Sequence, residues 1–238
     1  MNLMTLPSRL RGIARGVVFA FCAIWAFAAI AQTGLSAAEI AQYQGLHAAA
    51  QKGDFTQIEK LATSKAALNA RDGNGRTPLH VATFARQWEA IRALAKAGAD
   101  INLLDNDRYD CVTIASVADD EDTLRVLLAL GASAKLITSR YDGTALIAAA
   151  HLGHDGVVKQ LIAAGAPLDQ VNNLHWTAAI EAVVLGNGGV RHQETLRALI
   201  KAGANLQLTD RQGNTPLQLA TTRGYAEMVR MLSSTAPR

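Results

Sequence analysis

Two histidines and a cysteine are the residues whose types and spacing could carry chemistry in this 238-residue chain. His151 and His154 are three positions apart, so both imidazoles could lie on one helical face and bind a metal ion. Cys111 stands at an expected helix start, a position that tends to lower the pKa of a thiol and raise its reactivity. A metal-binding or redox-responsive protein is therefore one alternative. The sequence holds no phosphate-binding loop, nucleophile elbow or zinc spacing, so our first expectation is a protein with no catalytic residue, bound metal or cofactor.

The elements that must position these residues repeat along the chain. The hexapeptide TPLHVA at 77–82 returns as TPLQLA at 215–220, with weaker copies between them. Counted at the first threonine, the copies are 33, 33, 34, 33 and 38 residues apart, at Gln44, Thr77, Asp110, Thr144, Thr177 and Thr215. A Gly-Ala pair gives a second marker with steps of 33, 34 and 38 residues, at Gly98, Gly131, Gly165 and Gly203. A fixed period of this length predicts a stack of repeats.

Each repeat has the pattern of two short helices. Thr77 can cap a helix with its hydroxyl, and Pro78 suits the first helical position, where no amide donor is needed. The four marker glycines follow apolar runs and fit the left-handed residue just past a helix C-terminus. Residues spaced by three and four form one apolar face of the second helices: Ile91, Leu94, Ala95, Leu124, Leu127, Leu128, Val158, Leu161 and Ile162. Such a short pair cannot bury its own apolar face, so neighbouring repeats must stack.

This pattern resembles the ankyrin repeat family, in which one β-turn and two helices recur about every 33 residues with the signature TPLHxA. The resemblance covers roughly residues 40–233. It implies an all-α repeat fold, an ankyrin solenoid of helix-turn-helix units with β-turn fingers and about six repeats. The repeats are expected at 39–71, 72–104, 105–138, 139–171, 172–209 and 210–235, within one domain at 39–238.

Departures from the family signature bear on the candidate chemistry. Repeats one, three, four and five depart at the Thr-Pro or the His position. Gly153-His154 matches the Gly-His that ends the first helix in the family, which favours a structural role for His154 over metal ligation. His47 and His80 fall on the signature histidine, so the resemblance implies a structural, hydrogen-bonding role for both.

The first 38 residues have the pattern of a signal peptide. Three arginines precede an uncharged run over 16–31, and small residues at 29–31 and 36–38 offer cleavage sites. The run is short for a membrane span, which needs about 20 apolar residues. We therefore expect a periplasmic protein with no membrane contact after cleavage. An uncleaved segment, which would make the protein a membrane-anchored scaffold, is the alternative.

The charge balance argues against nucleic acid as a partner. The chain has 23 Lys and Arg against 20 Asp and Glu, a net charge of +3, and the excess is Arg9, Arg11 and Arg15. The rest of the chain is neutral, whereas a nucleic-acid-binding protein needs a basic patch or stripe. Cys111 is the one cysteine that follows the expected signal peptide, which excludes an intramolecular disulfide in the mature chain.

A partner-binding surface is implied by the ankyrin resemblance, built from the finger tips and the exposed face of each first helix. Aromatic residues and arginine, the types enriched in interface hot spots, recur at these positions. The candidate partner-binding residues are Asn74, Arg76, Phe84, Asn106, Asp107, Tyr109, Arg140, Tyr141, His151, Leu152, Asn173, Leu174, Trp176, Leu185, Arg211, Gln212 and Asn214. For Trp176 and Tyr109, packing against the neighbouring finger is the alternative.

Two further features each allow two interpretations. The acidic run 119–122 precedes a second helix, where the helix dipole stabilises negative charge, or it contacts a basic partner. Residues 186–192 lengthen the link between the two helices of repeat five and form either a second contact surface or a flexible loop. Together the patterns predict a monomeric periplasmic module that binds an unidentified protein partner in a protective, assembly or neutralising role.

Overall fold

Pairs of short helices follow one another along the chain. The computed structural model describes residues 34–234, so the predicted signal peptide lies outside the described residues up to residue 33. The described chain holds 14 helices and no strand. The first helices of six successive pairs are α2 (Gly45–Lys52), α5 (Pro78–Phe84), α7 (Cys111–Val117), α9 (Ala145–Leu152), α11 (Ala178–Val184) and α13 (Pro216–Thr222). The second helices are α3 (Phe55–Leu61), α6 (Trp88–Lys96), α8 (Glu121–Ala129), α10 (Asp155–Ala163), α12 (Val190–Ala202) and α14 (Ala226–Ser233). The predicted solenoid of about six helix-turn-helix units is confirmed.

The first helices begin where the repeat marker predicts. The side chain of Thr77 accepts a hydrogen bond from the amide of His80, and the markers of four later repeats do the same: Asp110, Thr144, Thr177 and Thr215. Such a cap satisfies an amide that the helix leaves unpaired and stabilises by about 1 kcal/mol. Gln44, the marker of repeat one, makes no such bond, so α2 lacks this contribution. The marker glycines end the second helices with φ between 79° and 96°, as predicted.

The core lies between neighbouring repeats. Leu79 of α5, Leu146 of α9 and Ile180 of α11 are fully buried, and Leu94, Leu124 and Leu161 are their counterparts in the second helices. Each first helix contacts the first helix of the next repeat, and second helices contact second helices in the same way. Burial of one such side chain stabilises by about 1.5–3 kcal/mol. Because these contacts join adjacent repeats, stability accumulates along the stack.

Five loops connect the repeats and are called fingers here: 72–76, 105–109, 138–143, 172–176 and 210–214. In four of them the first side chain accepts hydrogen bonds from the amides two and four residues later. In the second finger, Asp105 accepts from Asp107 at 3.0 Å and from Tyr109 at 2.9 Å. In these four fingers the backbone and one side chain therefore fix the loop, and the turn does not dictate the residue types at the tip.

One position in each finger requires a left-handed backbone. Gly75 has φ of 73°, whereas repeat five has His175 there with φ of 66°. A residue with a Cβ is strained in this region by about 1 kcal/mol or more. A Cβ on Gly75 would also lie 2.9 Å from the backbone nitrogen of Asn106.

We therefore expect opposite effects at this one register position. Gly75→Ala should destabilise the protein by about 2 kcal/mol, and His175→Gly should stabilise it by about 0.5–1 kcal/mol. Urea denaturation followed by circular dichroism measures both. A destabilised His175→Gly variant would contradict the assigned backbone conformation.

A short helix outside the repeats, α1 (Ala37–Gln42), precedes the first pair, and α4 (Lys65–Leu68) follows it. Ser36 and Glu39 form a reciprocal capping box at the start of α1. Oε1 of Glu39 also lies 3.0 Å from Nη1 of Arg76. Residues 36–38, which the sequence pattern ascribes to the signal peptide, therefore take part in the capped start of α1.

The inserted segment 186–192 is packed onto the stack. The hydroxyl of Tyr225 donates to the carbonyl of Gly186 at 2.9 Å. Arg191 lies 2.8 Å from Asp119 and 3.3 Å from Asp155, so one side chain links repeats three, four and five. These contacts brace the edge of the stack away from the fingers and favour a packed segment over a flexible loop. Arg191 is about half exposed, so each ion pair contributes modestly.

Part of the acidic run acts as the helix dipole predicts. Asp120 is the N-cap of α8 and accepts a hydrogen bond from the Thr123 amide at 3.1 Å, and Glu121 and Asp122 lie in the first turn. Asp119 instead pairs with Arg191, which lowers the pKa of its carboxyl.

No helix between residues 34 and 234 is long and apolar enough to cross a membrane.

Candidate functional site

The finger face consists of the finger tips and the exposed positions near the ends of the first helices. Eight of the predicted partner-binding residues are exposed: Asn74, Asn106, Asp107, Arg140, Asn173, Leu185, Arg211 and Gln212. Eight others are half-buried: Phe84, Tyr109, Tyr141, His151, Leu152, Leu174, Trp176 and Asn214. Arg76, with 4% of its surface exposed, is the one buried member of the set.

Arg76 holds the N-terminal end of the stack together. Its guanidinium lies 4.8 Å from the centre of the Phe84 ring, and Nη1 pairs with Glu39 of α1. A desolvated cation over an aromatic face stabilises by about 1–2 kcal/mol. Burial removes Arg76 from a partner's reach, so it is not part of the finger face.

Three half-buried aromatic residues occupy the middle of the finger face: Tyr109, Tyr141 and Trp176. Their hydroxyl and indole N–H groups make no hydrogen bond with any residue from 34 to 234. The other tyrosines and tryptophan of this range are all bonded within the fold, Tyr43 to Asp72, Trp88 to Thr123 and Tyr225 to Gly186. None of these three polar atoms is buried, so they are open to water or to a bound molecule.

Hydrogen bonds between fingers join Tyr141 to the finger of Trp176 and connect both fingers to Arg211. The amide of Asn173 donates to the carbonyl of Tyr141 at 2.8 Å, and its side-chain amide donates to the carbonyl of Arg140 at 2.9 Å. The guanidinium of Arg211 in turn donates to the carbonyl of Asn173. Residues of three successive fingers therefore form one contiguous patch whose backbone is fixed.

A buried carboxylate lies behind this patch. Glu181 of α11 is 4% exposed, and its Oε1 accepts a hydrogen bond from the side-chain amide of Asn172 at 2.9 Å. Its Oε2 makes no hydrogen bond within the described part of the chain and lies 3.3 Å from Nδ1 of His151. Asn172 in turn holds the finger of Trp176 by accepting the amide of that residue at 2.9 Å.

Two matched departures from the repeat pattern build this cluster. Repeat five has Asn172 where three other fingers have Asp, and Glu181 where repeats two and three have Val81 and Ile114. An aspartate at 172 would set two carboxylates against each other, whereas the asparagine amide donates to Glu181. Our sequence interpretation missed Glu181, although a carboxylate at an apolar register position was a visible signal.

His151 and His154 bind different groups and do not form a shared pair of ligands. Nδ1 of His154 lies 2.9 Å from the backbone carbonyl of Ser116, whereas Nδ1 of His151 faces Glu181. Between residues 34 and 234 no three metal-binding side chains converge.

Cys111 is 1% exposed, and burial raises the pKa of its thiol to about 12. The argument for a reactive Cys111 is therefore wrong, because desolvation outweighs the effect of the helix start.

Comparison with known proteins agrees with this geometry. The family model for ankyrin repeats (three copies) matches residues 46–138, 112–210 and 146–237. The ankyrin repeat protein YahD of Escherichia coli K12 is 39% identical over 95 residues, which are 40% of this chain and 47% of YahD. The chain thus spans less than half of the curated relatives it matches.

Solved structures extend the similarity over most of the chain. An ankyrin repeat domain from Acinetobacter baumannii is 45% identical with a TM-score of 0.74, over 79% of this chain and 96% of that one. A chain in the complex of the predatory endopeptidase Bd0816 from Bdellovibrio bacteriovorus with the immunity protein Bd3460 is 25% identical with a TM-score of 0.62, over 81% of this chain and 98% of that one. Ankyrin repeats are protein–protein interaction modules. The repeat period, the capped helix pairs, the row of fingers and the matched family model establish that this chain belongs to the ankyrin repeat family.

Proposed function

We propose that the chain binds one protein partner through its finger face, acts as a monomer and has no catalytic role. The observation that carries the proposal is the contrast between aromatic side chains. Tyr109, Tyr141 and Trp176 keep their polar groups unbonded, while the aromatic residues elsewhere in the described chain bond theirs internally. Rigid aromatic anchors with an available polar end are typical of interface hot spots.

The mechanism we propose is rigid surface complementarity. The fingers are held by their own hydrogen bonds and by bonds to neighbouring fingers, such as that between Asn106 and Asn74 at 3.0 Å. Little backbone entropy is then lost when a partner docks, so more of the contact energy contributes to affinity. Of the protective, assembly and neutralising roles, the resemblance to a chain of the Bd0816–Bd3460 complex supports the neutralising one.

Partner capture tests the binding surface. Immobilised full chain captures its partner from a periplasmic extract, and Trp176→Ala with Tyr141→Ala should weaken capture by about 100-fold or more, since two hot-spot truncations each cost about 2 kcal/mol. The matched control, Phe55→Ala with Val190→Ala, removes apolar side chains that are 55% and 71% exposed. Equal capture by both double variants would overturn the finger-face proposal.

We also propose that the chain is exported and that the signal peptide is cleaved after Ala31 rather than after Ala38. The capping box of Ser36 and Glu39, together with the Glu39–Arg76 pair, supports this choice, since cleavage after Ala38 would remove the cap of α1. N-terminal sequencing of the periplasmic protein should begin at Gln32. A membrane-bound, uncleaved chain would support the anchor alternative.

A further inference from the structure

Tyr109 and Trp176 leave their fingers in the same direction. The amide of Tyr109 donates to the side chain of Asp105, and the carbonyl of Tyr109 accepts the amide of Asp105, both at 2.9 Å. Trp176 makes the same two bonds with Asn172, at 2.9 Å and 3.0 Å. Because the backbone is held in the same way at both positions, the two side chains extend from the same side of the row of fingers.

Tyr141 belongs to the finger between them. Burial raises the pKa of the Tyr109 hydroxyl, and among the groups that act on it electrostatically are Arg140 and Tyr141. The carbonyl of Tyr141 accepts the amide of Asn173, three residues before Trp176, at 2.8 Å. The three aromatic residues therefore follow one another along three consecutive fingers, and they are called the aromatic row here.

Backbone hydrogen bonds set the spacing of these three fingers. One bond joins the two ends of each loop, and one further bond joins each finger to the next, from Ser139 to Arg108 at 2.9 Å and from Asn173 to Tyr141 at 2.8 Å. Backbone segments bonded in this way lie about 4.8 Å apart, and two such steps place equivalent residues of successive fingers about 10 Å apart. One turn of a polyproline II helix, which is three residues long, advances about 9 Å. A peptide in that conformation therefore repeats at nearly the period of the fingers.

The charged residues beside the aromatic row pair with one another. Arg108 of the second finger lies 2.7 Å from Asp142 of the third, and Arg140 of the third finger lies 4.0 Å from Asp107 of the second. The two pairs cross the same two fingers in opposite directions, so their charges cancel. A segment bound along the row therefore needs no net charge at this place.

The unbonded polar groups of the aromatic row require hydrogen-bond acceptors. The indole N–H of Trp176 can only donate, and the hydroxyls of Tyr109 and Tyr141 can donate as well. Helices and strands use most of their carbonyls in their own hydrogen bonds, whereas a polyproline II helix has no internal hydrogen bonds and leaves every carbonyl free.

We propose that the aromatic row binds a proline-rich segment of the partner in the polyproline II conformation. The inference rests on the proposed function and specifies the chemistry of the partner. Carbonyls of the segment accept from the two hydroxyls and the indole N–H, while its proline rings pack on the aromatic faces. Proline has no backbone N–H, so this packing leaves no donor without a partner. The preformed helix also loses little entropy when it docks on an aromatic-lined surface.

Deca-L-proline with a fluorescent label tests this inference on the full chain by fluorescence anisotropy. We expect saturable binding. Deca-D-proline has the same composition but a helix of the opposite hand, so it should bind about tenfold more weakly. Tyr109→Phe with Tyr141→Phe keeps both rings and removes two hydroxyls that make no hydrogen bond within residues 34–234. This variant should bind deca-L-proline about 20-fold more weakly, the effect of two lost hydrogen bonds between uncharged groups.

Tyr225→Phe is the matched control, because it removes a hydroxyl bonded to Gly186 at the edge of the stack away from the fingers and should leave binding unchanged. No binding of deca-L-proline, equal binding of deca-D-proline, or undiminished binding by the Tyr109 and Tyr141 variant would each overturn the inference. Tighter binding of single-stranded oligothymidine, whose bases also stack on aromatic residues, would overturn it as well.

Partner capture separates this inference from the proposed function. If deca-L-proline does not bind while Trp176→Ala with Tyr141→Ala still abolishes capture, the proposed function stands and this inference fails. Capture that survives in that double variant would overturn both.

Discussion

Asn172→Asp is expected to destabilise the protein by about 3 kcal/mol at pH 7, although aspartate stands at this position in three other fingers. The new carboxylate could still accept the amides of Leu174 and Trp176, as Asp105 and Asp210 do in their own fingers. It would also face Oε1 of Glu181, which now accepts from Asn172 at 2.9 Å in a buried position. Two buried carboxylates at this distance cannot both stay charged.

The reciprocal double variant separates this repulsion from damage to the turn. Asn172→Asp with Glu181→Gln restores one donor and one acceptor with their positions exchanged, so stability should return to within about 1 kcal/mol of wild type. Urea denaturation of the wild type, both single variants and the double variant measures the coupling. An Asn172→Asp variant as stable as wild type would contradict the buried pair.

Acid should destabilise the stack through His80. Nδ1 accepts the amide of Thr77 at 3.1 Å, so the neutral ring carries its proton on Nε2 and donates it to the carbonyl of Tyr109 at 3.2 Å. Burial lowers the pKa of His80 to about 4. Below pH 6.5 the unfolded chain takes up a proton that the folded protein refuses. Stability is therefore lost as the pH falls from about 6.5 to about 4, by up to about 3 kcal/mol.

His80→Gln supplies the control, because repeat six already uses glutamine in this role. Gln218 accepts the amide of Thr215 through Oε1 at 2.8 Å, and it does not titrate. The unfolding free energy of the wild type, measured relative to that of His80→Gln, should thus fall steadily from pH 7 to pH 4.5. Other titrating groups are common to both proteins and cancel in the comparison. A difference that stays constant with pH would show that His80 does not stay neutral in the folded protein.

Recurring positions were predictable from the sequence because one physical requirement repeats there. The markers Thr77 and Thr215 cap helices, and glycines such as Gly98 take up the left-handed backbone, wherever the period places them. The predicted finger residues follow from the same counting. The exposure of these residues could not be predicted by counting. Arg76, for example, is buried and pairs with Glu39 of α1, a helix that lies outside the repeat pattern.

Contacts between repeats could not be predicted from the local sequence pattern. Arg191 binds Asp119, which lies 72 positions earlier in the sequence, and this contact packs the inserted segment 186–192 onto the stack. The choice between an inert and a reactive Cys111 could not be made locally, because its helix position is local while its burial depends on neighbouring repeats. The pairing of Asn172 with Glu181 is also invisible until the turn and the helix are brought together.

Oxidative footprinting of the complex tests the finger-face account most directly. Hydroxyl radicals modify tyrosine and tryptophan at rates that depend on their exposure, and peptide mass spectrometry reads each site in the free chain and in the complex with its captured partner. Binding through the finger face predicts strong protection of Tyr141 and Trp176 and unchanged rates at Phe55 and Trp88, which are exposed on other parts of the stack. Protection of Phe55 and Trp88 with unchanged rates at Tyr141 and Trp176 would contradict it.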